Sequence, residues 1–178
     1  MPQSEDMRLT TARLLIRPFR AEDITAEYVA ALNDVDVVRY TEARHQTWDH
    51  DKAVAYVRAY NGPGQSLLLG FFRRESGRHV GNVLLHHELR HHRVEMSFML
   101  WDRTHWNQGY ATEAVCAVAD ACFQLFGAHK LTASYYAPHQ ASARVLEKAG
   151  FQVEAVLRQH YVYEGRYIDG VRVAQWRG

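Results

Sequence analysis

The sequence predicts a mixed α/β (α+β) fold: one domain on a twisted mixed sheet of about seven strands, with helices on both faces. Three observations predict it. Short apolar runs of strand length recur, separated by turn residues, and stretches with helical apolar spacing interrupt them. The order is one strand, two helices, three strands, helix, strand, helix and two strands, without repeat, low-complexity segment or linker. The 178 residues suit one domain, and 47% hydrophobic content is enough to fill its core. The domain is placed at residues 8–177, with residues 1–7 as a flexible polar arm.

Leu14 to Phe19 reads as the first strand. Ala21-Glu22-Asp23 then opens a helix to about Asn33, and a second helix runs from Asp49 to Tyr60, with Ala53, Tyr56, Val57 and Tyr60 on one face. Asn61-Gly62-Pro63-Gly64 stops it. Ser66 to Arg73 and His79 to His86 form strands joined by the hairpin turn Glu75-Ser76-Gly77-Arg78. After a polar turn from Glu88 to Arg93, Val94 to Trp101 returns as a strand. A helix from Thr112 to Phe126 stacks Ala114, Val118, Ala121 and Leu125 in one stripe, small enough to lie close on a sheet. Lys130 to Tyr136 is a strand, His139 to Ala149 a helix, and Gly150 its left-handed stop. Phe151 to His160 and Ile168 to Trp176 pair across Glu164-Gly165-Arg166, an arrangement that would also allow a homodimer.

A net charge of +1 supplies no bulk field for nucleic acid or a membrane surface. Cys116 and Cys122 lie six apart on one helix and face different directions, so they form no disulfide, and both read as small packing residues. The polar start and the lack of any run near the roughly 20 apolar residues of a membrane span lead us to expect a cytoplasmic protein.

The chemistry centres on Trp106-Asn107-Gln108-Gly109-Tyr110-Ala111-Thr112-Glu113-Ala114, between a strand and a helix. The first N–H groups of a helix have no partner within it, and its dipole puts partial positive charge there. Gly109 lets backbone approach a ligand, and Ala111 does not block it. A phosphate or pyrophosphate could sit here without a cluster of Lys or Arg. The loop lacks the Gly-Lys-Ser/Thr ending of an ATPase phosphate loop, which argues against a nucleotide hydrolase.

This segment resembles the pyrophosphate-binding segment of the GCN5-related N-acetyltransferases (the GNAT superfamily). Pro138 to Phe151, which contains Ser142 and ends Glu147-Lys148-Ala149-Gly150-Phe151, resembles the second cofactor segment of that family. Leu9-Thr10-Thr11-Ala12-Arg13-Leu14-Leu15-Ile16-Arg17-Pro18-Phe19, followed by Ala21-Glu22-Asp23, resembles the opening of the branch that includes the ribosomal-protein-alanine acetyltransferases. The resemblance spans nearly the whole chain in order. It implies a fold whose fourth and fifth strands splay apart and hold the pantetheine arm of acetyl-CoA, the acyl donor, without metal.

Acetyl transfer needs a positioned thioester, a deprotonated amine and a leaving thiolate that is stabilised. Backbone groups of Met99, Leu100 and Trp101 are candidates to grip the pantetheine and polarise the acetyl carbonyl, with Trp106 to Thr112 on the pyrophosphate. Met99 and Leu100 equally suit plain core positions. Glu95 is the candidate base, at a position where the branch carries a glutamate. Partial desolvation there would raise its pKa; the alternative is a strand-edge partner of Arg93. Many relatives place a tyrosine one turn beyond Ser142, where this chain has Leu146, so Ser142 is the candidate to hydrogen-bond the sulfur. Capping the helix start is its equally weighted alternative. His139 stands where the family has Asn and could replace its donor and acceptor.

His86, His87, His91 and His92 are the densest histidine cluster, but neighbours on a strand point to opposite faces, so a solvated hairpin outweighs a metal site. Acceptor recognition is expected from Arg39 to Trp48: Tyr40 and Trp48 to stack on a ligand, Glu42 and Arg44 to read charge, with Tyr161, Val162, Tyr163 and Tyr167 opposite. The alternative is a polar loop anchored by two aromatics. The resemblance thus implies an N-acetyltransferase acting on a peptide or small-molecule amine by direct attack in a ternary complex. An amino sugar or antibiotic is an alternative acceptor, and a non-catalytic acyl-CoA sensor the alternative of another class.

Overall fold

A computed structural model describes residues 7–61 and 66–177. Eight strands form one sheet: β1 (Leu9–Thr10), β2 (Leu14–Pro18), β3 (Ser66–Arg73), β4 (His79–Glu88), β5 (Arg93–Leu100), β6 (Lys130–Tyr136), β7 (Gln152–Tyr163) and β8 (Arg166–Trp176). The five α-helices are α1 (Ala26–Ala31), α2 (Val35–Val38), α3 (His50–Tyr60), α4 (Tyr110–Leu125) and α5 (Gln140–Lys148). Sheet order is β1-β2-β3-β4-β5-β6-β8-β7, and among the described residues only β5 and β6 run parallel.

Helices cover both faces, as expected. One core gathers Ala114, Val115, Val118 and Cys122 of α4 and Leu146 of α5 with Ile16, Phe71, Val83, Met96 and Leu131 from the sheet. The other packs Tyr28, Val37, Val38, Ala53 and Val57 from α1, α2 and α3 on Phe19, Leu68, Phe72 and Trp101. Small residues on α4 let its axis lie close to the strands, which brings its first turn level with the end of β5.

The elements depart from expectation where local competition decides. The helix expected from Ala21 to Asn33 is divided. Asp23 takes both terminal nitrogens of Arg17 at 2.7 Å and the Arg20 N–H at 2.9 Å, which stabilises a short 3-10 turn at Ala21–Asp23. Thr25 then caps a new start by accepting from the Tyr28 N–H at 3.2 Å. β1 and α2 were not expected; α2 is capped by Asp34, whose carboxylate accepts from the Asp36 N–H at 2.9 Å. Met7, assigned by sequence to a flexible arm, is buried in the α4-side core. Residues 1–6 and the Gly62-Pro63-Gly64 stop lie outside the described residues.

β5 and β6 pair through only three residues each, Arg93–Glu95 with Lys130–Thr132. Beyond Glu95, β5 continues on β4 as far as Leu100, while β6 continues on β8 as far as Tyr136. The sheet therefore forks at Glu95. This is the splayed pair that the resemblance implies.

Under the α1–α3 layer, His79 stacks on Phe19 at 4.2 Å. Its Nδ1 accepts from Trp101 Nε1 at 3.2 Å, and its Nε2 donates to the Gly81 carbonyl at 2.9 Å. These partners require the neutral ring, and burial pushes its pKa down to about 3. An unfolded histidine titrates near 6.5, so below that pH the unfolded chain gains a proton that the native chain refuses. The stabilisation is complete above pH 6.5 and is lost as pH falls towards 3, by about 2 kcal/mol between pH 6.5 and 5. Burial also depresses His87 and His139, so the difference between wild type and His79→Phe isolates the contribution. Urea unfolding across pH 5–7.5 is expected to give a shallower pH slope for the variant; parallel slopes would contradict the assignment.

Candidate active site

Two cavities meet at the fork. One, of about 530 Å³, lies between β4, β5 and β6 and the α1–α3 layer; Tyr28, Tyr56, Asn82, Glu95 and Tyr136 are among its walls. The other, of about 430 Å³, runs along the end of β5 to the first turn of α4, past Trp106, Gly109, Ala111 and Thr112. Tyr40, Thr41, Phe98, Met99, His139 and Ser142 line both, so the junction lies between the open edge of β5 and the start of α5.

Strand alternation fixes what β5 offers there. Trp101 donates its N–H to Val80 of β4 at 3.1 Å, and the Met99 carbonyl also faces β4, beside Gly81. Backbone groups alternate in direction along a strand, so Phe98 and Leu100 turn theirs to the open side. The Leu100 carbonyl is taken by Trp106 Nε1 at 2.7 Å. The two amides and the Phe98 carbonyl remain. The expected grip from Trp101 is therefore corrected: its amide is committed to β4 and its ring is buried. Met99 lines both cavities, and Phe98, which sequence reasoning passed over, turns to the open side the backbone groups that were expected from Met99.

At the start of α4, Asn107 and Gly109 adopt φ of 57° and 79°, which turns the chain sharply into the helix. Among the described residues, the N–H groups of Tyr110, Ala111 and Thr112 make no protein hydrogen bond; the first helical bond is Glu113 N–H to the Gly109 carbonyl at 3.0 Å. Arg13 clamps the turn, donating to the Gln108 carbonyl at 2.9 Å and to Glu113 at 2.6 Å while covering the Tyr110 ring at 4.1 Å. This pairing keeps the Glu113 charge, in the first helical turn, occupied by Arg13. Gln108 is not in the cavity wall: its side chain folds back to the Thr104 carbonyl at 2.7 Å. Three cations stand around this cavity: Arg39, at the start of the segment expected to read the acceptor, and Arg144 and Lys148, to which sequence reasoning gave no role. The spacing of Arg144 and Lys148, one turn apart on α5, was the available signal.

Glu95 lines the first cavity at the fork, with its side chain 46% exposed and 3.7 Å from the Arg172 guanidinium. Its setting is half-open, with a cationic neighbour on β8, while Arg93, the alternative partner, pairs with Glu88. Ser142, in the first turn of α5, makes no hydrogen bond among the described residues, so its hydroxyl is not spent on capping. His139 is the cap residue of α5, its ring 4.9 Å from Tyr40 and its pKa lowered by burial, so it meets the junction as a neutral ring.

The Arg39–Trp48 segment divides by role. Tyr40 lies 5.9, 4.9 and 5.3 Å from the rings of Tyr136, His139 and Tyr163, at the junction. Glu42 lines the first cavity and accepts from the Tyr136 hydroxyl, whose pKa burial and then Glu42 push up to about 12. Arg44 is in neither wall. It donates to Tyr136 Oη at 2.9 Å and to the Val162 carbonyl at 3.1 Å, buckling the loop to the carboxy-terminal hairpin. Trp48 is an anchor, buried, with Nε1 on the Ala43 carbonyl at 3.0 Å, although an edge reaches the cavity. Tyr161 lines the cavity and Tyr163 backs Tyr40, but Tyr167 is 71% exposed, away from both.

His86 bonds Ser66 while His87 packs on Phe126, on opposite faces as the alternation requires. Neither cysteine lines a cavity, and burial raises the Cys122 thiol to about 12. No helix among the described residues is long and apolar enough to cross a membrane.

A family model described as an acetyltransferase (GNAT) domain matches residues 13–152. The Bacillus subtilis protein named uncharacterized N-acetyltransferase YoaA is 28% identical over 165 residues, covering 90% of this chain and 92% of its own. Two solved structures share the fold. One is the ribosomal L7/L12 alpha-N-protein acetyltransferase RimL in complex with coenzyme A, with TM-score 0.86, 14% identity, and 96% and 98% of the two chains covered. The other is a Vibrio cholerae spermidine N-acetyltransferase with CoA and spermine, with TM-score 0.81, 17% identity, and 93% and 96% covered. With the forked sheet and the open helix start in place, the family match makes the chain an acyltransferase that belongs to the GNAT acetyltransferase family.

Proposed function

We propose that this enzyme transfers an acetyl group from acetyl-CoA to a primary amine by direct attack within a ternary complex. The supporting observation is the pair of cavities that share walls at Phe98, Met99, His139 and Ser142. Two substrates seated in them would meet without a carrier on the protein, and no thiol lines either cavity.

The residues present fit coenzyme A. The amides of Phe98 and Leu100 suit an extended amide-bearing arm, as an added strand would. The unpaired N–H groups of Tyr110 to Thr112 suit a pyrophosphate, and Arg39, Arg144 and Lys148 suit further phosphate charge. When bound, acetyl-CoA supplies the activated thioester. Glu95, from the acceptor side, takes the proton of the attacking nitrogen directly or through one water. The C–N bond forms and the C–S bond breaks, while the Ser142 hydroxyl steadies the departing sulfur. Because Tyr56 and Tyr60 of α3 line the acceptor cavity, it extends beneath that helix. This supports a small amine over a protein amino terminus; the structural neighbours carry names of both kinds.

Titration calorimetry with acetyl-CoA, using 3′-dephospho-CoA and ATP as controls, tests the donor assignment. Acetyl-CoA is expected to bind and ATP not to. Gly109→Ala is expected to weaken acetyl-CoA binding by roughly 5–30-fold, since a Cβ at φ +79° strains the turn that presents the amides. Absence of binding to folded wild-type protein would remove the proposal.

A further inference from the structure

Two protons leave the acceptor nitrogen between ammonium and amide, and Glu95 accounts for one. Glu95 belongs to the wall of the first cavity only, so it serves the acceptor side and not the sulfur. The other proton has to reach the departing thiolate; an ordinary thiol has a pKa of about 8.5, so the thiolate binds a proton at neutral pH. Leu146, one turn beyond Ser142, has no proton to exchange, and a serine hydroxyl does not titrate near neutral pH.

His139 stands where that transfer has to occur. It lines both cavities, and of the side chains that do so it is the one whose type titrates near neutral pH. Backbone bonds fix its place at the cap of α5: its N–H donates to the Tyr136 carbonyl at 2.7 Å, and its carbonyl accepts from the Ala143 N–H at 3.2 Å. Among the described residues neither ring nitrogen makes a hydrogen bond, and neither is sealed inside the protein. The phenols of this corner are Tyr40, against the ring, with Tyr136 and Tyr163 behind it. Glu42 and Glu95 border the first cavity and Arg39, Arg144 and Lys148 the second, but none of them pairs with the ring; burial is what lowers its pKa. A neutral ring is free to accept a proton, and a weakly basic one passes it on readily.

We propose that His139 is a catalytic residue that carries the second proton from the acceptor nitrogen to the departing sulfur. Glu95 takes the first proton, which frees the amine to attack. As the C–N bond forms and the C–S bond breaks, the ring takes the remaining excess proton from nitrogen and gives one to the thiolate. The ring ends neutral, and the products are the amide and the thiol. This inference rests on the transferase reading above and deepens it.

His139→Asn tests it, because an Asn amide keeps a donor and an acceptor but cannot carry a proton. With acetyl-CoA and the probe amines 2-phenylethylamine, hexylamine and 1,6-diaminohexane, the variant is expected to lose about 10²-fold or more in kcat. Its acetyl-CoA affinity by calorimetry and its Tm are expected to stay near wild type. Added imidazole, but not acetamide, is expected to restore part of the kcat of His139→Ala. In unloaded wild-type protein, an NMR titration of the His139 ring is expected to show ionisation below the usual 6.5. Ionisation above that value would leave the ring charged at neutral pH and overturn the proposal, whether or not the variants fold. A wild-type kcat in folded His139→Asn would overturn it, as would a loss confined to acetyl-CoA affinity, since the ring would then only hold the donor. Turnover of none of the probe amines by wild-type enzyme with acetyl-CoA bound would also overturn it. Failure of wild-type protein to bind acetyl-CoA at all would instead strike the transferase reading itself.

Discussion

Replacing Gly81 with alanine is expected to destabilise the protein by about 3 kcal/mol or more and to lower Tm by roughly 6–12 °C. Gly81 sits in β4 between its pairing partners Phe71 and Leu100. A Cβ there would overlap the Phe71 ring and lie 2.6 Å from the Met99 carbonyl oxygen. Phe71 is fully buried and has no space to yield, and the Met99 oxygen is backbone. Relief must come from moving β5 away from β4 at Met99, on the segment that walls both cavities. Acetyl-CoA affinity should therefore fall together with stability. A thermal melt and a calorimetric titration on the same preparation check both; a melt within 2 °C of wild type, by the same scaling, would show that the strand pair is softer than its packing implies.

Glu95→Gln is expected to lower kcat by about 10²–10⁴-fold while leaving acetyl-CoA affinity and Tm nearly unchanged. The substitution keeps shape and hydrogen-bonding capacity but removes the proton acceptor. Glu95 is the last residue of β5 paired to β6, so its position is set by the sheet rather than by a loop. Arg172, 3.7 Å away on β8, is a cationic neighbour that leaves the carboxylate half open. The variant's kcat separates a proton acceptor from a binding residue, whose loss would raise KM instead. An unchanged kcat would remove Glu95 from the proton path.

Legibility of the fold followed the range of the forces involved. β3 and β6 run over the expected residues, and α4 and α5 lie within two residues of expectation, because apolar spacing and flanking turn residues define them locally. Gly150, at φ +87°, ends α5 as expected. The divided helix after Pro18 carried a readable signal, Thr25 before Ala-Glu-Tyr, but the Arg17–Asp23 pair that enforces the break joins a strand to a turn. In the candidate site, the placing of the α4 start and of Ser142 on one cavity wall was legible from motif and spacing. The committed roles of Arg44 and Trp101 were not, since each depends on a partner brought near only by the fold: Val162, 118 residues from Arg44, and Val80 across the sheet. Asn82 gave no signal, because a single Asn in an apolar strand does not show its burial.

The fork has a mechanical consequence. Three residue pairs of ladder join a five-stranded plate, β1 to β5, to a three-stranded plate, β6, β8 and β7. Past Glu95 no ladder holds the plates together, so the gap can widen or narrow with no rung broken. A ligand arm laid in the seam would act as the missing cross-brace. On the proposed reading the molecule would be stiffest when loaded, and the residue at the root of the fork is the one assigned to take the proton.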